Sequence, residues 1–276
     1  MGNYLITGAG GGMGAALAIR LTDEGHRVWG LDLVPPDGMP TGETFIRADV
    51  TDGESLREAF ERIRTEAGSL KGIIHTAGIY DLDSLVEMTE TAFLHDFDVN
   101  VFGAFRVNRS FLPLLEEGGR IVMISSELAP LHPLPFTGIY AVTKASLDRY
   151  AEALRMELQL LGYRVIVVRP GAVRTQMLPA STAKLARFCG STRQYRYNAE
   201  RFRKIVARIE AKSVVPERIA EIVAKALQAH RPKNVYSVNR NPMLLLYDRL
   251  PVRVQLRLIR KLLGKNNREE EKIETA

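Results

Sequence analysis

Thr7-Gly8-Ala9-Gly10-Gly11-Gly12-Met13-Gly14 follows a short apolar run at 3–7. It precedes residues 13–25, where Met13, Leu17 and Leu21 fall at helical spacing. Glycines between a strand and a helix permit a tight turn and let backbone come close to a ligand. The free N–H groups of the helix start then favour an anion such as a pyrophosphate. A glycine run alone says little. Here a second strand is expected at 26–32, where Val28 and Leu31 are the strongest apolar marks, and it ends on Asp32, 24 residues after Gly8. Strand, loop, helix, strand and terminal acid read together as one dinucleotide-binding unit. A carboxylate at that place accepts hydrogen bonds from ribose hydroxyls and repels a 2′-phosphate. No Lys or Arg lies in the loop or directly after Asp32, so NAD is expected rather than NADP.

The alternation continues outward from this unit. Strands are expected at 44–48, 72–76, 120–125, 164–169 and 235–238. Helices are expected from Asp52, over 90–116 with Gly118-Gly119 as its stop, over 138–161 and over 216–230. Strand and helix in turn imply an α/β fold, a Rossmann-like doubly wound parallel sheet with right-handed crossovers. Residues 176–213 break the rhythm and read as a helical substrate flap within a single domain over 1–240. A C-terminal helical extension is expected over 241–265, and a disordered tail over 266–276.

Composition narrows the class. The chain has 276 residues, 46% hydrophobic and 25% charged, ordinary for a soluble globular protein. Its one cysteine, Cys189, excludes a disulfide framework and a thiolate metal cluster. The five histidines show no ligand spacing, so no metal site is expected. Net charge is +6, with the basic excess concentrated at 184–212 and 240–265. Neither segment carries a nucleic-acid-binding motif, and no nucleic-acid partner is expected. No stretch reads as a membrane span. The N-terminus lacks the basic n-region of a signal peptide, and Ile6 stands where a myristoylation motif needs Ser or Thr. A cytoplasmic setting is expected.

Further motifs carry a family resemblance. Thr7-Gly8-x-x-x-Gly12-x-Gly14, Ser126, Tyr140-x-x-x-Lys144, Asn100, Asp49-Val50, Ala77-Gly78 and Pro170-Gly171-Ala172-Val173-Arg174-Thr175 resemble the motifs of compact short-chain dehydrogenases/reductases. The resemblance implies a catalytic set of Asn100, Ser126, Tyr140 and Lys144. It implies a cofactor site built from Gly8, Gly12, Met13, Gly14, Asp32, Leu33, Asp49, Val50, Ala77, Gly78, Tyr140, Lys144, Pro170, Gly171, Val173 and Thr175. Two features depart from the family. His75-Thr76 stands where it usually has Asn-Asn, and one extra residue separates Ser126 from Tyr140. Ser125 competes for the serine role, and strand alternation would turn it to the opposite face.

These residues suit hydride transfer between a nicotinamide and a carbonyl. Tyr140 and Lys144 share a helical face. A free tyrosine titrates near pH ~10, and a neighbouring ammonium is expected to lower that. Ser126 would hydrogen-bond the substrate oxygen. The resemblance further implies that Lys144 binds the nicotinamide ribose and that Asn100 holds a water linking Lys144 to solvent. The expected activity is NAD-dependent interconversion of an alcohol and its ketone or aldehyde, on a fairly large apolar small-molecule substrate such as a steroid-, retinoid- or lipid-like alcohol. The alternative is a non-catalytic NAD-binding regulatory or scaffold protein on the same fold. Met177, Leu178, Leu185, Phe188, Tyr195, Tyr197 and Phe202 of the flap suit an apolar substrate, and equally a helix pair packed by its aromatics. Val254, Leu258, Ile259 and Leu262 form an apolar stripe among arginines, suited to peripheral membrane contact or to a partner subunit. The family is often homo-oligomeric, so a dimer or tetramer is expected.

Overall fold

A computed structural model describes residues 1–210 and 212–264, so the tail expected at 266–276 lies outside the described residues. Strand β1 (Asn3–Thr7) enters the glycine loop and α1 (Gly12–Asp23) leads back to β2 (Arg27–Asp32). Then come β3 (Glu43–Arg47), α2 (Gly53–Glu66) and β4 (Leu70–His75). Asp52 caps α2 by accepting the Glu54 N–H. The second half runs through α3 (Glu90–Phe97), α4 (Gly103–Phe111), β5 (Leu115–Ile124), α5 (Gly138–Leu158) and β6 (Arg164–Pro170). The flap is α6 (Met177–Ser191) and α7 (Arg196–Glu210); α8 (Pro216–Gln228), β7 (Val235–Val238), α9 (Pro242–Asp248) and α10 (Val252–Leu263) follow.

The seven strands form one parallel sheet in the order β3-β2-β1-β4-β5-β6-β7. Helices cover both faces, which is why the central strands are buried along nearly their whole length. On one face Leu56, Val107 and Leu147, from α2, α4 and α5, pack on the sheet. On the other, Leu17, Leu21 and Val223, from α1 and α8, do the same. The strand order reverses between β1 and β4, where Thr7 pairs with His75. Ligand crevices of doubly wound sheets open at such a reversal, at the carboxyl ends of the strands.

Residues 90–116 are not one helix. A π-turn at Asp98–Phe102 separates α3 from α4, and a 3-10 turn at Leu112–Leu114 leads directly into β5. Pro113 in that turn has no N–H to continue the helical ladder. Gly118, with φ of +73°, and Gly119 therefore lie inside β5, which pairs irregularly with β4 there, and they do not stop a helix.

The flap aromatics form a third cluster. Phe188, Tyr195 and Phe202 ring Phe136, with centroids 5.1, 5.4 and 5.4 Å away. Helix α10 completes this cluster through Leu263 and Ile259. The expected apolar face of α10 is thus rotated: Gln255 and Leu263 are buried, whereas Leu262 is exposed along with Val252 and Leu256. Among the described residues no helix is long and apolar enough to cross a membrane.

Candidate active site

The glycine loop is held by backbone geometry that side chains would spoil. Gly8 and Gly12 adopt φ of +73° and +54°. A Cβ on Gly14 would lie 2.0 Å from the Gly8 carbonyl oxygen, so α1 packs this closely onto the loop only with glycine there. Asp32 reaches back from β2. Its Oδ2 accepts the Gly10 N–H at 2.8 Å and its Oδ1 accepts the Leu33 N–H at 2.6 Å. Leu33 is 52% exposed beside it. The β2–β3 register sets Arg47 next to Asp32, a cation that sequence spacing does not reveal. Asp49 Oδ1 accepts the Thr51 N–H at 2.8 Å, and Val50 lies against Gly103 at the start of α4.

The His75-Thr76 departure has a structural explanation. Thr76 Oγ1 donates to the Thr7 carbonyl at 2.6 Å, and the Ala77 N–H donates to Thr7 Oγ1 at 3.4 Å. Together they tie the segment after β4 to the glycine loop. His75 is buried with its Nε2 2.8 Å from Asn108 Oδ1, and Asn108 donates to the Tyr150 hydroxyl at 3.1 Å. Burial pushes the His75 imidazole down to about 4, so it is neutral at physiological pH.

Helix α5 presents Tyr140 and Lys144 one turn apart, and Ser126 follows the end of β5. The Tyr140 and Ser126 hydroxyls are hydrogen-bonded. Lys144 Nζ donates to the Ile124 carbonyl at 3.2 Å and lies 5.7 Å from the centre of the Tyr140 ring. The expected depression of the tyrosine pKa is absent. Burial pushes Tyr140 up to about 12, against the pull of the Ser126 hydrogen bond, and Glu127 raises it further. Burial also pushes Lys144 down to about 8, with Asp148 opposing. Burial is the largest cause of both displacements.

Asn100 is tied into the fold through its side-chain amide. It sits in the π-turn, where its Oδ1 accepts the Ile79 N–H at 2.9 Å. Its Nδ2 donates to the Ile79 carbonyl at 3.0 Å and to Thr143 Oγ1 at 3.1 Å. The amide thus clamps the backbone just past Gly78 to α5, and both its donors are already spent on protein partners. Ser125 does not turn away as alternation suggested, because β5 ends at Ile124. Both serines face the same cavity. Ser126 alone has the bond to Tyr140, while Ser125 Oγ donates to the Lys144 carbonyl at 3.4 Å.

That cavity encloses about 1040 Å³ including its mouth. Of the residues singled out from sequence, Met13, Gly78, Ser126, Tyr140, Lys144, Pro170, Gly171, Val173 and Thr175 line it. Gly8, Gly12, Gly14, Asp32, Leu33, Asp49, Val50, Ala77 and Asn100 lie outside it. Its outer wall is apolar, built from Leu134, Met177, Leu178, Phe202, Val206 and Leu244. Sequence reading missed Tyr80, whose ring meets Tyr140 edge-on with centroids 4.5 Å apart. It missed Thr143 and Leu244 as well. It also passed over Glu127, although that residue is the single carboxylate between Arg120 and Lys144.

Comparison with known proteins agrees with this fold. Residues 3–186 match the family model described as short chain dehydrogenase. A 3-ketodihydrosphingosine reductase of Bacteroides thetaiotaomicron is 27% identical over 230 residues, 83% of this chain and 84% of that protein. A short-chain dehydrogenase from Streptomyces avermitilis superposes with a TM-score of 0.73 at 25% identity, covering 94% of this chain and 96% of that one. A second, from Burkholderia cenocepacia in complex with NADP, gives a TM-score of 0.66 at 25% identity, covering 85% and 95%.

Proposed function

The chain belongs to the short-chain dehydrogenase family of oxidoreductases, and on that premise we propose that it uses NAD to interconvert a large apolar alcohol and its ketone or aldehyde. The observation that carries this reading is one cavity with two unlike ends. Ser126, Tyr140 and Lys144 meet at its base, and the flap and α9 supply an apolar wall. The residues present fit a nicotinamide dinucleotide. A glycine loop that a Cβ would block lies at the strand-order reversal, and a carboxylate stands at the end of β2. Gly8, Gly12, Met13 and Gly14 would hold the pyrophosphate. Asp32 and Leu33 would hold the adenosine ribose, Asp49 and Val50 the adenine, and Ala77, Gly78, Tyr140, Lys144, Pro170, Gly171, Val173 and Thr175 the nicotinamide half. Asp32 supports NAD over NADP, because a carboxylate repels a 2′-phosphate.

When bound, the cofactor supplies or takes up a hydride at the substrate carbon. The chain's own residues handle the proton. Tyr140, neutral because burial holds it at about 12, gives its proton to the carbonyl oxygen during reduction. Ser126 donates a hydrogen bond to the same oxygen as charge builds there. The Lys144 ammonium steadies the phenolate that Tyr140 becomes. Asn100 acts at one remove, by fixing Ile79 and Thr143. A homo-oligomer is part of this reading, since Phe102 in the π-turn and Phe105 on α4 are 49% and 44% exposed. Tyr140→Phe tests the proton assignment. Turnover should be lost while the affinity for NADH, measured by fluorescence, stays within about fivefold, because one hydroxyl hydrogen bond contributes roughly 1 kcal/mol. Retained turnover would contradict the assignment.

A further inference from the structure

Among the described residues that line the cavity, only Glu127 and Lys144 carry formal charge, and the proton chemistry above uses Lys144 alone. Glu127 is 5% exposed. Its backbone is fixed by the N–H donating to the Pro170 carbonyl at 2.8 Å. One carboxylate oxygen, Oε2, accepts the Asn241 N–H at 2.7 Å, ahead of α9. The other, Oε1, lies over bare Gly171, where an added Cβ would come within 2.9 Å of it. No donor among the described residues reaches Oε1. Burial raises this carboxyl, with the Asn241 bond and Arg240 opposing. Leu128, Leu134 and Leu244 line the same cavity. An acceptor oxygen placed in apolar surroundings is costly unless something donates to it.

The position is as informative as the charge. Glu127 follows Ser126 directly, and it lies near enough to Tyr140 to raise that hydroxyl. A group meeting Oε1 is therefore attached close to the carbon that reacts. We propose that Glu127 reads the substrate by accepting a hydrogen bond from a hydroxyl or protonated amine one or two carbons from the reacting carbonyl, on a molecule whose apolar chain runs along the flap. The assignment rests on the alcohol–carbonyl reading and narrows its substrate class. It also disfavours substrates with a carboxylate or phosphate at that end, because the wall would set like charges together.

Binding to the full chain with no cofactor added tests this directly, since no hydride can then be transferred in either direction. The probes are a long-chain 2-amino ketone, the matching 2-hydroxy ketone and the unsubstituted ketone of equal length, followed by protein fluorescence. The wild type should bind the two donor-bearing ketones about tenfold or more tightly than the plain one, as expected for a hydrogen bond to a buried charged group. Glu127→Gln keeps an acceptor for Asn241 but loses the charge. It should erase most of the amine's advantage and less of the hydroxyl's, which also separates the two donors. Equal binding of the three ketones by wild type, or binding of none, would overturn the assignment. So would an undiminished preference in Glu127→Gln, which would leave the carboxylate as a tie for Asn241 only. The wild-type comparison decides even if the variant fails to fold. NADH-dependent turnover is read separately. A binding preference without turnover would count against the alcohol–carbonyl reading and not against this assignment.

Discussion

At the scale of single residues, the site is governed by burial more than by pairing. Tyr140 and Lys144 are displaced in opposite directions, each toward its neutral form, up to about 12 and down to about 8. Such a tyrosine is protonated across the neutral range, the state that proton donation to a carbonyl oxygen requires. The lysine is the titrating member. Its charge is present below about 8 and is lost as pH rises through that value. The account predicts that kcat/KM for carbonyl reduction is level below pH about 8 and declines above it, because the phenolate formed from Tyr140 then lacks the ammonium. A pH series with NADH checks this, and a profile that rises through the same range would contradict it. The two histidine–threonine positions show the same priority. His75 is a neutral packed group and Thr76 a tie between β4 and the glycine loop.

At the scale of elements, the buried face of α3 carries a cost in stability. Asp96 on α3 is buried, and neither carboxylate oxygen has a hydrogen-bond partner. Burial, with Asp81 and Asp83 adding to it, pushes it up to about 7, although Lys184 of α6 pulls the other way and is itself paired to Asp81. A carboxyl raised in the folded state binds a proton there that the unfolded chain releases. Its contribution to stability is therefore lost as pH rises from about 4 to about 7. Asp96→Asn should raise the melting temperature by a few degrees at pH 8 and by less at pH 5, on the order of 1–3 kcal/mol for relief of an unsatisfied buried group. Differential scanning calorimetry at the two pH values checks it. A larger gain at pH 5 would mean that the aspartate is ionised and stabilising. The π-turn belongs to this scale too, because it brings Asn100 to both Ile79 and Thr143, a placement that a regular helical reading of 90–116 does not supply.

At the scale of the whole molecule, the exposed Phe102 and Phe105 are the surface the oligomer reading depends on. Light scattering should give a dimer or tetramer, and Phe105→Glu should shift the mass toward the monomer. A monomeric wild type would contradict that reading. The doubly wound sheet was legible because several strands are short apolar runs with a clear stop, such as β1 before Gly8, β2 at Asp32 and β6 at Pro170-Gly171. The glycine loop and the Tyr140-x-x-x-Lys144 pair were legible because their geometry is local. What escaped depends on distant packing. The rotation of α10 follows from docking on α7 through Leu263 and Ile259. The direction of the Tyr140 shift follows from burial. Glu127 draws its meaning from Asn241, 114 residues further on, and from Gly171, which lies in the loop after β6. Arg47 comes beside Asp32 only through strand register, and so the cofactor preference is where sequence and structure set opposed charges together.

That preference and the chemistry are read in one assay, the change in nicotinamide absorbance when a long-chain ketone is mixed with the protein and either NADH or NADPH. The account predicts turnover with NADH about tenfold or more above that with NADPH, the factor expected when a carboxylate accepts ribose hydroxyls but repels a phosphate. Turnover favouring NADPH would mean that Arg47 outweighs Asp32, and no turnover with either would contradict the proposed function itself.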